Sequence, residues 1–239
     1  MISIVSAIWK RKALTEIFLS SLQRYEKDYG IRSAIAGSEG VQSREMCLDY
    51  GMAYVEAPND PLSDKFNKAA QLADACFSPD AFLVLGSDDF IDDALIKRYL
   101  KAHEEGIDIV GIKDCYFYNA NSRRAAYWCG YTNFRKGETV GMARMLSKKV
   151  FNALHSDLWP SGMNSGLDYT MMTKIKEHDK RLTRLSLPIE GMVAVDVKWR
   201  DNITRFKSYH ENATRVNFST FNTIPEFKRI KGLHGKSKG

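Results

Sequence analysis

The sequence predicts an α/β protein with a mainly parallel sheet flanked by helices, on three observations. Short apolar runs alternate with longer amphipathic ones through the first two-thirds of the chain. The run Ala81-Phe82-Leu83-Val84-Leu85 is apolar at every position, as a strand covered on both faces must be. A length of 239 residues with 44% hydrophobic content is enough for a buried core. That excludes a wholly disordered chain and a mini-protein held together by staples.

Each element follows from its pattern. Residues 1–8 are apolar and β-branched and read as a strand; in 13–29, Leu14, Ile17, Phe18, Leu22 and Tyr25 recur at helical spacing. A second strand over 31–36 stops at Gly37-Ser38-Glu39-Gly40, a helix runs through Cys47, and 53–56 is a third strand. Pro58-Asn59-Asp60-Pro61 breaks the chain before a helix over 63–75, and 81–85 is the fourth strand. Strands over 107–112 and 125–129 flank an aromatic and then basic stretch, residues 116–124, whose rings read mostly as core. A helix over 168–177 and a strand over 192–197 complete the body.

Ligands of open α/β sheets bind beyond the carboxyl ends of the strands. The first strand delivers Trp9, Lys10 and Arg11 there, the second Ser38 and Glu39, and the fourth Gly86-Ser87-Asp88-Asp89. Adjacent carboxylates at a sheet edge repel unless a cation or donor compensates, and a divalent metal is the natural partner. Capping of the helix that begins near Asp92-Asp93 is the competing role for one Asp, but four carboxylates within residues 88–93 exceed what one cap requires. The four cysteines have no C-x-x-C spacing and read as buried free thiols of a reducing compartment. With no basic leader and no membrane-length apolar run, the expected location is the cytoplasm.

Four blocks resemble family 2 glycosyltransferases of the GT-A fold. Ser6-Ala7-Ile8-Trp9-Lys10-Arg11 followed by Leu19-Ser20-Ser21-Leu22 is similar to the family's opening strand and helix. Residues 59–67 resemble its Asn-x-Gly-x-Ser-x-x-Arg-Asn segment, 83–91 its Asp-x-Asp-Asp stretch, and Gly166-Leu167-Asp168-Tyr169 its Gly-Glu-Asp block. The resemblance implies a GT-A core over 1–197, with a nucleotide-sugar half (1–92) and an acceptor half (93–197). It implies donor contacts at Ala7, Trp9, Arg11, Ser38, Glu39, Lys65, Ser87 and Asp88, a UDP-sugar donor and an inverting reaction. It also implies a divalent metal, Mn2+ or Mg2+, on Asp88, and Asp168 as the base that takes the acceptor proton. Asp196 is the candidate second metal ligand, or the ion-pair partner of Lys198 or Arg200. The departures are Gly86 for the first Asp of the triplet, Lys65 for Arg, and Leu167 for the Glu before the base. They keep a non-catalytic relative in view.

Charge is uneven along the chain. Residues 198–239 hold ten basic and three acidic residues, so the net +6 of the protein lies in a basic C-terminal extension on a near-neutral body. Arg200, Arg205, Lys207 and Arg215 are interleaved with Trp199, Phe206, Tyr209 and Phe218, and the basic run Lys228, Arg229 and Lys231 follows, a pattern suited to a phosphate backbone. The Ile-Trp-Lys-Arg opening also resembles glycosyltransferases of bacterial viruses that act on hydroxymethylated pyrimidines in DNA. That resemblance implies DNA as acceptor and the host cytoplasm as location. Saccharide or lipid-linked acceptors, and docking of the extension on an anionic membrane, are the alternatives. A nucleotidyltransferase is disfavoured because no glycine-rich phosphate loop follows the first strand.

Overall fold

The computed structural model describes residues 1–176, 182–199 and 213–233. Arg200, Arg205 and Lys207 lie outside the described residues. Strands β1 (Ile2–Ala7), β2 (Arg32–Gly37), β3 (Ala53–Glu56) and β4 (Ala81–Val84) run parallel in the spatial order β4-β1-β2-β3. Helices α1 (Lys12–Tyr29), α2 (Val41–Asp49) and α3 (Leu62–Phe77) make the crossovers. α1 stops at Gly30, whose left-handed φ of 68° lets its N–H close on Tyr25 and Glu26 carbonyls. Alternation along β1 sends Ile2 and Ile4 to the core beneath α1, and Val5 to the core beneath α3 with Ala69, Ala70 and Ala73.

The sheet continues past β4 as β9 (Arg144–Ser147), β6 (Ile109–Ile112) and β10 (Leu182–Leu185), making seven strands with only β9 reversed. A mainly parallel sheet was expected, and the reversed β9 was not. A second sheet of five strands, in the order β12-β8-β7-β11-β5, packs beside it. These are β5 (Asp89–Ile91), β7 (Cys115–Asn119), β8 (Arg124–Trp128), β11 (Ala194–Lys198) and β12 (Ala213–Arg215). The aromatic stretch read as a connection therefore contains a strand, β7, which pairs antiparallel with β8 and parallel with β11. α4 (Asp93–Glu104), α5 (Lys148–Ala153), α6 (Leu167–Lys176), α7 (Leu187–Glu190) and α8 (Phe227–Lys231) complete the described elements.

The basic extension expected from residue 198 is not separate where it is described. β12 pairs with β8, and Phe221, Phe227 and Ile230 are buried in the main core. The Phe221 and Phe227 rings meet Tyr116 and Tyr118 of β7, with centroid separations of 5.1–6.3 Å. Arg24 on α1 pairs with both Asp93 and Glu226, tying this segment to two helices of the body. All four cysteines are free, but only Cys47 and Cys115 are buried; Cys76 and Cys129 are exposed because they end a helix and a strand at the surface. No helix among the described residues is long and apolar enough to cross a membrane.

Candidate functional site

A cleft of about 550 Å³ opens at the carboxyl ends of β1 and β4. Of the residues expected to bind the donor, Ala7, Trp9, Arg11, Lys65, Ser87 and Asp88 line it, together with Asp168 and Asp196. Ser38 and Glu39 do not. Ser38 accepts from Lys65 Nζ at 2.9 Å, and Glu39 accepts from the Lys10 backbone N–H at 2.8 Å.

The turn from β1 into α1 is strained. Lys10 and Arg11 both take left-handed backbone angles, φ 53° and 51°, at about 1–2 kcal/mol each for non-glycine residues. The turn aims the Arg11 side chain across the cleft, where it donates to Asp88 Oδ2 at 2.9 Å and Ser87 Oγ at 3.1 Å.

Asp88 shares its corner with Asp89 and Asp196, and ligand oxygens of the three lie within 4.8 Å of one another. The antiparallel register of β5 on β11 places Asp89 opposite Asp196, a pairing of residues far apart in sequence. Helix α4 is capped by Asp92, which accepts from Leu95 N–H at 3.0 Å, so neither Asp88 nor Asp89 is taken up as a cap. A Cβ on Gly86 would come within 2.9 Å of carboxylate oxygens of both Asp88 and Asp89.

Electrostatics at the corner are tightly linked. Burial alone would raise Asp88, but Arg11 and Lys198 outweigh it and hold its pKa below the usual value. Asp89 is pushed well above the carboxylate range by burial and by its two acidic neighbours. Burial lifts Asp196 to about 6 against the pull of Lys198, whose Nζ is 2.5 Å from Asp196 Oδ2. The other Asp196 oxygen, Oδ1, is buried without a hydrogen-bond partner. An orphaned anionic oxygen beside two further carboxylates is the donor set of a hard divalent cation. The residues therefore fit the expected metal, with Asp89 as a third oxygen donor that the sequence reading did not assign. Of the roles expected for Asp196, the ion pair with Lys198 is observed through Oδ2, and it leaves Oδ1 unused.

Lys65 behaves differently from the expected phosphate contact. It is 1% exposed, and Nζ donates to Ile8 O at 2.6 Å, Ser38 Oγ at 2.9 Å and Asn59 Oδ1 at 3.1 Å. All three ammonium donors are thus engaged in bracing the ends of β1 and β2 against the loop before α3. Burial lowers its pKa from 10.5 to about 8, opposed by Glu39 and Glu56. Between those values the folded chain releases the Lys65 proton before the unfolded chain does, so stability rises with pH across the window. Lys65→Met strands three acceptors and is expected to cost about 2 kcal/mol or more at pH 7. Urea melts at pH 7 and pH 10 should show wild type gaining on the variant at the higher pH; no change in the gap would remove Lys65 as the titrating brace.

Asp168 stands at the first turn of α6, where the helix N-terminus favours a carboxylate. Its Oδ2 accepts from the Tyr131 hydroxyl and from Arg135 Nη2 at 3.1 Å, and Oδ1 accepts from Tyr169 N–H at 2.8 Å. Arg144, 1% exposed on β9, donates to the Asp168 carbonyl at 3.3 Å and to Thr139 and Val140 carbonyls. Burial would raise the Asp168 pKa, but the Tyr131 hydrogen bond and Arg135 hold it below the usual range. Gly141 leaves the space for this arrangement, since a Cβ there would lie 2.8 Å from Asp168 Cβ. Sequence reasoning missed Tyr131, Arg135, Gly141 and Arg144. Only the glycine carried a signal, as a place of close approach.

Three of the residues expected to bind nucleic acid, Lys228, Arg229 and Lys231, lie on α8. Asp196, Lys198 and Phe117 share one face of the second sheet, whereas Phe227 of α8 packs on Tyr118 of the other. These basic residues therefore sit behind the sheet, Arg229 donating to Ser20 at 2.6 Å and Lys231 lying 5.8 Å from the Phe227 ring. The structure does not bring them to the cleft.

No protein-family model matches the chain, and no curated protein sequence matches it. Solved structures do. It is similar to S. aureus TarS at 16% identity and TM-score 0.55, over 77% of this chain and 35% of that one. TarS 1–349 gives 14% identity and TM-score 0.53, over 77% and 57%. The bifunctional IspDF from Campylobacter jejuni gives 9% identity and TM-score 0.50, over 77% and 49%. The chain thus spans between about a third and somewhat over half of these neighbours. At such identities the likeness establishes architecture alone: the chain has the mixed α/β GT-A fold with a mainly parallel central sheet.

Proposed function

We propose that the protein is a metal-dependent, inverting glycosyltransferase that moves a sugar from a nucleoside diphosphate sugar, UDP-linked, to an acceptor hydroxyl. The observation that carries this reading is a single cleft bearing a three-carboxylate corner with an orphaned oxygen and, on another element, the ionised carboxylate of Asp168.

Asp88, Asp89 and Asp196 would hold the divalent ion, which when bound supplies positive charge to the departing diphosphate. Arg11 and Lys198 add two fixed cations at the same corner, oriented before the reaction by their bonds to Asp88 and Asp196. Lys65 acts at one remove, keeping the strand ends in register. Asp168 takes the acceptor proton. Tyr131 and Arg135 occupy Oδ2, so Oδ1, engaged by one backbone N–H, is the oxygen with room for the incoming hydroxyl. Arg144 fixes the backbone beneath it.

For the acceptor, a hydroxymethylated pyrimidine in DNA is the first to try. Its support is the basic segment, now reduced to Arg200, Arg205 and Lys207, because Lys228, Arg229 and Lys231 lie behind the second sheet. Saccharide and lipid-linked acceptors compete on equal chemistry.

A thermal-shift panel of nucleotide sugars with and without Mn2+ tests the reading, since ligands of the folded state raise its midpoint. The expected result is a shift with a UDP-sugar that grows with the metal, and sugar transfer with nucleoside diphosphate released. Pyrophosphate release would identify a nucleotidyltransferase instead, and no shift with any donor would remove the reading. The held-down Asp168 gives a second test. Tyr131→Phe removes the bond that lowers its pKa, so the acidic limb of the transfer rate should move to higher pH while the rate well above that limb changes little. An unmoved limb would show that Tyr131 does not act on the base.

A further inference from the structure

We infer that Asn164 is a positioning residue of the reaction: it closes the N-terminus of α3 from across the cleft and so sets Asp168 against the donor half. The role of Asp168 as base rests on the glycosyl-transfer reading above; the clip that holds it does not.

The need for the clip lies in the sequence. α3 starts at Leu62 behind Pro61, whose side chain has no oxygen to offer the first amides of the helix. The loop that leads into α6 supplies the missing acceptors. Asn164 Oδ1 accepts from Leu62 N–H at 2.8 Å, and the Met163 carbonyl accepts from Ser63 N–H at 2.9 Å. Both ends of the Asn164 amide are used, because its Nδ2 donates to Asp60 Oδ1 at 2.6 Å. A carboxylate at this position would cap the helix equally well but would meet Asp60 with like charge, so only an amide suits both neighbours.

The clip is continuous with the base. Asp60, Leu62, Asn164, Leu167 and Asp168 all line the one cleft. Only Ser165, Gly166 and Leu167 separate Asn164 from Asp168, and the ladder of α6 already reaches back to Gly166, whose carbonyl accepts from Thr170 N–H at 3.0 Å. The root of the loop is fixed separately. Asn67 of α3 accepts from Trp159 N–H at 3.1 Å and donates to its carbonyl at 2.8 Å, and Trp159 Nε1 donates to the Leu167 carbonyl at 2.9 Å. With the root held, Asn164 decides where the first turn of α6 stands. On the other side of the clip α3 carries Lys65, the brace of β1 and β2. A shift at the cap is therefore a shift of the base relative to the donor half, and about 1 Å of misplacement can cost about 10²-fold.

The test compares Asn164→Ala, Asn164→Asp and the reciprocal exchange of Asn164→Asp with Asp60→Asn, all in the full chain. Amide exchange read by NMR needs no turnover. In Asn164→Ala the Leu62 amide should exchange faster, as with any lost cap. The Tyr169 amide should do so too, because its bond to Asp168 Oδ1 reports the base itself. Hydrolysis of the UDP-sugar that gives the largest thermal shift, with water as acceptor, then reads kcat. It should fall about 10- to 100-fold in Asn164→Ala while the donor dissociation constant stays within about twofold. Asn164→Asp keeps the cap but sets two carboxylates face to face, and should also lose activity. The reciprocal exchange again gives a carboxylate an amide donor, with the roles reversed, and should recover kcat. Faster exchange at Leu62 with Tyr169 unmoved, an unchanged kcat, or no recovery in the reciprocal exchange would each overturn the inference and leave Asn164 a helix cap. If no nucleotide sugar binds, the transfer reading falls, and the Tyr169 amide still decides whether Asn164 sets Asp168.

Discussion

Asp168→Asn is expected to abolish sugar transfer, by a factor of about 10²–10⁴, and to leave donor binding intact. The amide keeps the shape of the carboxylate and can still accept from Tyr131, so α6 and the loop carrying Arg135 keep their places. What is lost is the ability to take a proton. Arg135 retains Glu138, itself paired with Lys176, so its charge is not stranded by the change. The three-carboxylate corner, on β5, on β11 and in the turn after β4, is built from other elements. Donor-induced thermal shift should therefore match wild type while transfer disappears. Full activity in this variant would take Asp168 out of the mechanism, and a lost donor shift would make it a structural residue.

Asp196→Asn should remove the metal response and cut transfer about 10²-fold or more. Asp196 is buried beside Asp88 and Asp89 and is the ion-pair partner of the buried Lys198, so a neutral amide of the same shape leaves Lys198 an oxygen to donate to but less compensating charge. Some loss of stability without metal is therefore expected, and melting curves with and without Mn2+ separate it from ligation: the Mn2+-induced increase in midpoint vanishes in the variant. A Mn2+ shift equal to wild type would exclude Asp196 as a ligand.

The first half of the fold was legible because its strands are covered on both faces and joined by amphipathic helices. The spacing of Leu14, Ile17, Phe18, Leu22 and Tyr25 in α1 and the unbroken apolar run of β4 leave little choice. The second sheet was legible only in part: β8 and β11 match expected strands, whereas β5, β7 and β12 were not expected. β5 is three residues long, and Tyr116, Phe117 and Tyr118 of β7 are all buried, so β7 shows no alternation. One of its faces packs on Phe221 and Phe227 and the other on Trp128, and no local signal announces a cover that arrives a hundred residues later. The site divides in the same way. Asp88 was readable from its place after a strand, and Asp168 from a block resemblance. Asp89 opposite Asp196, and Tyr131 against Asp168, are long-range pairings that register and loop geometry decide. Lys65 was read as a cation facing the cleft, and only its three acceptors show that it braces the strand ends.

The segment that closes the back of the second sheet has a consequence for the order of assembly. During synthesis β7 and β8 leave the ribosome well before β12, Phe221 and Phe227, so Tyr116 and Tyr118 wait uncovered while β1 to β4 can already pair. The nascent chain thus passes through a stage with half a cleft and a sticky aromatic sheet. That stage ends when the clasp of Arg24 with Asp93 and Glu226 engages. Chaperone demand should be concentrated in that interval, and a ribosome stalled before residue 213 would hold a chain that aggregates on release.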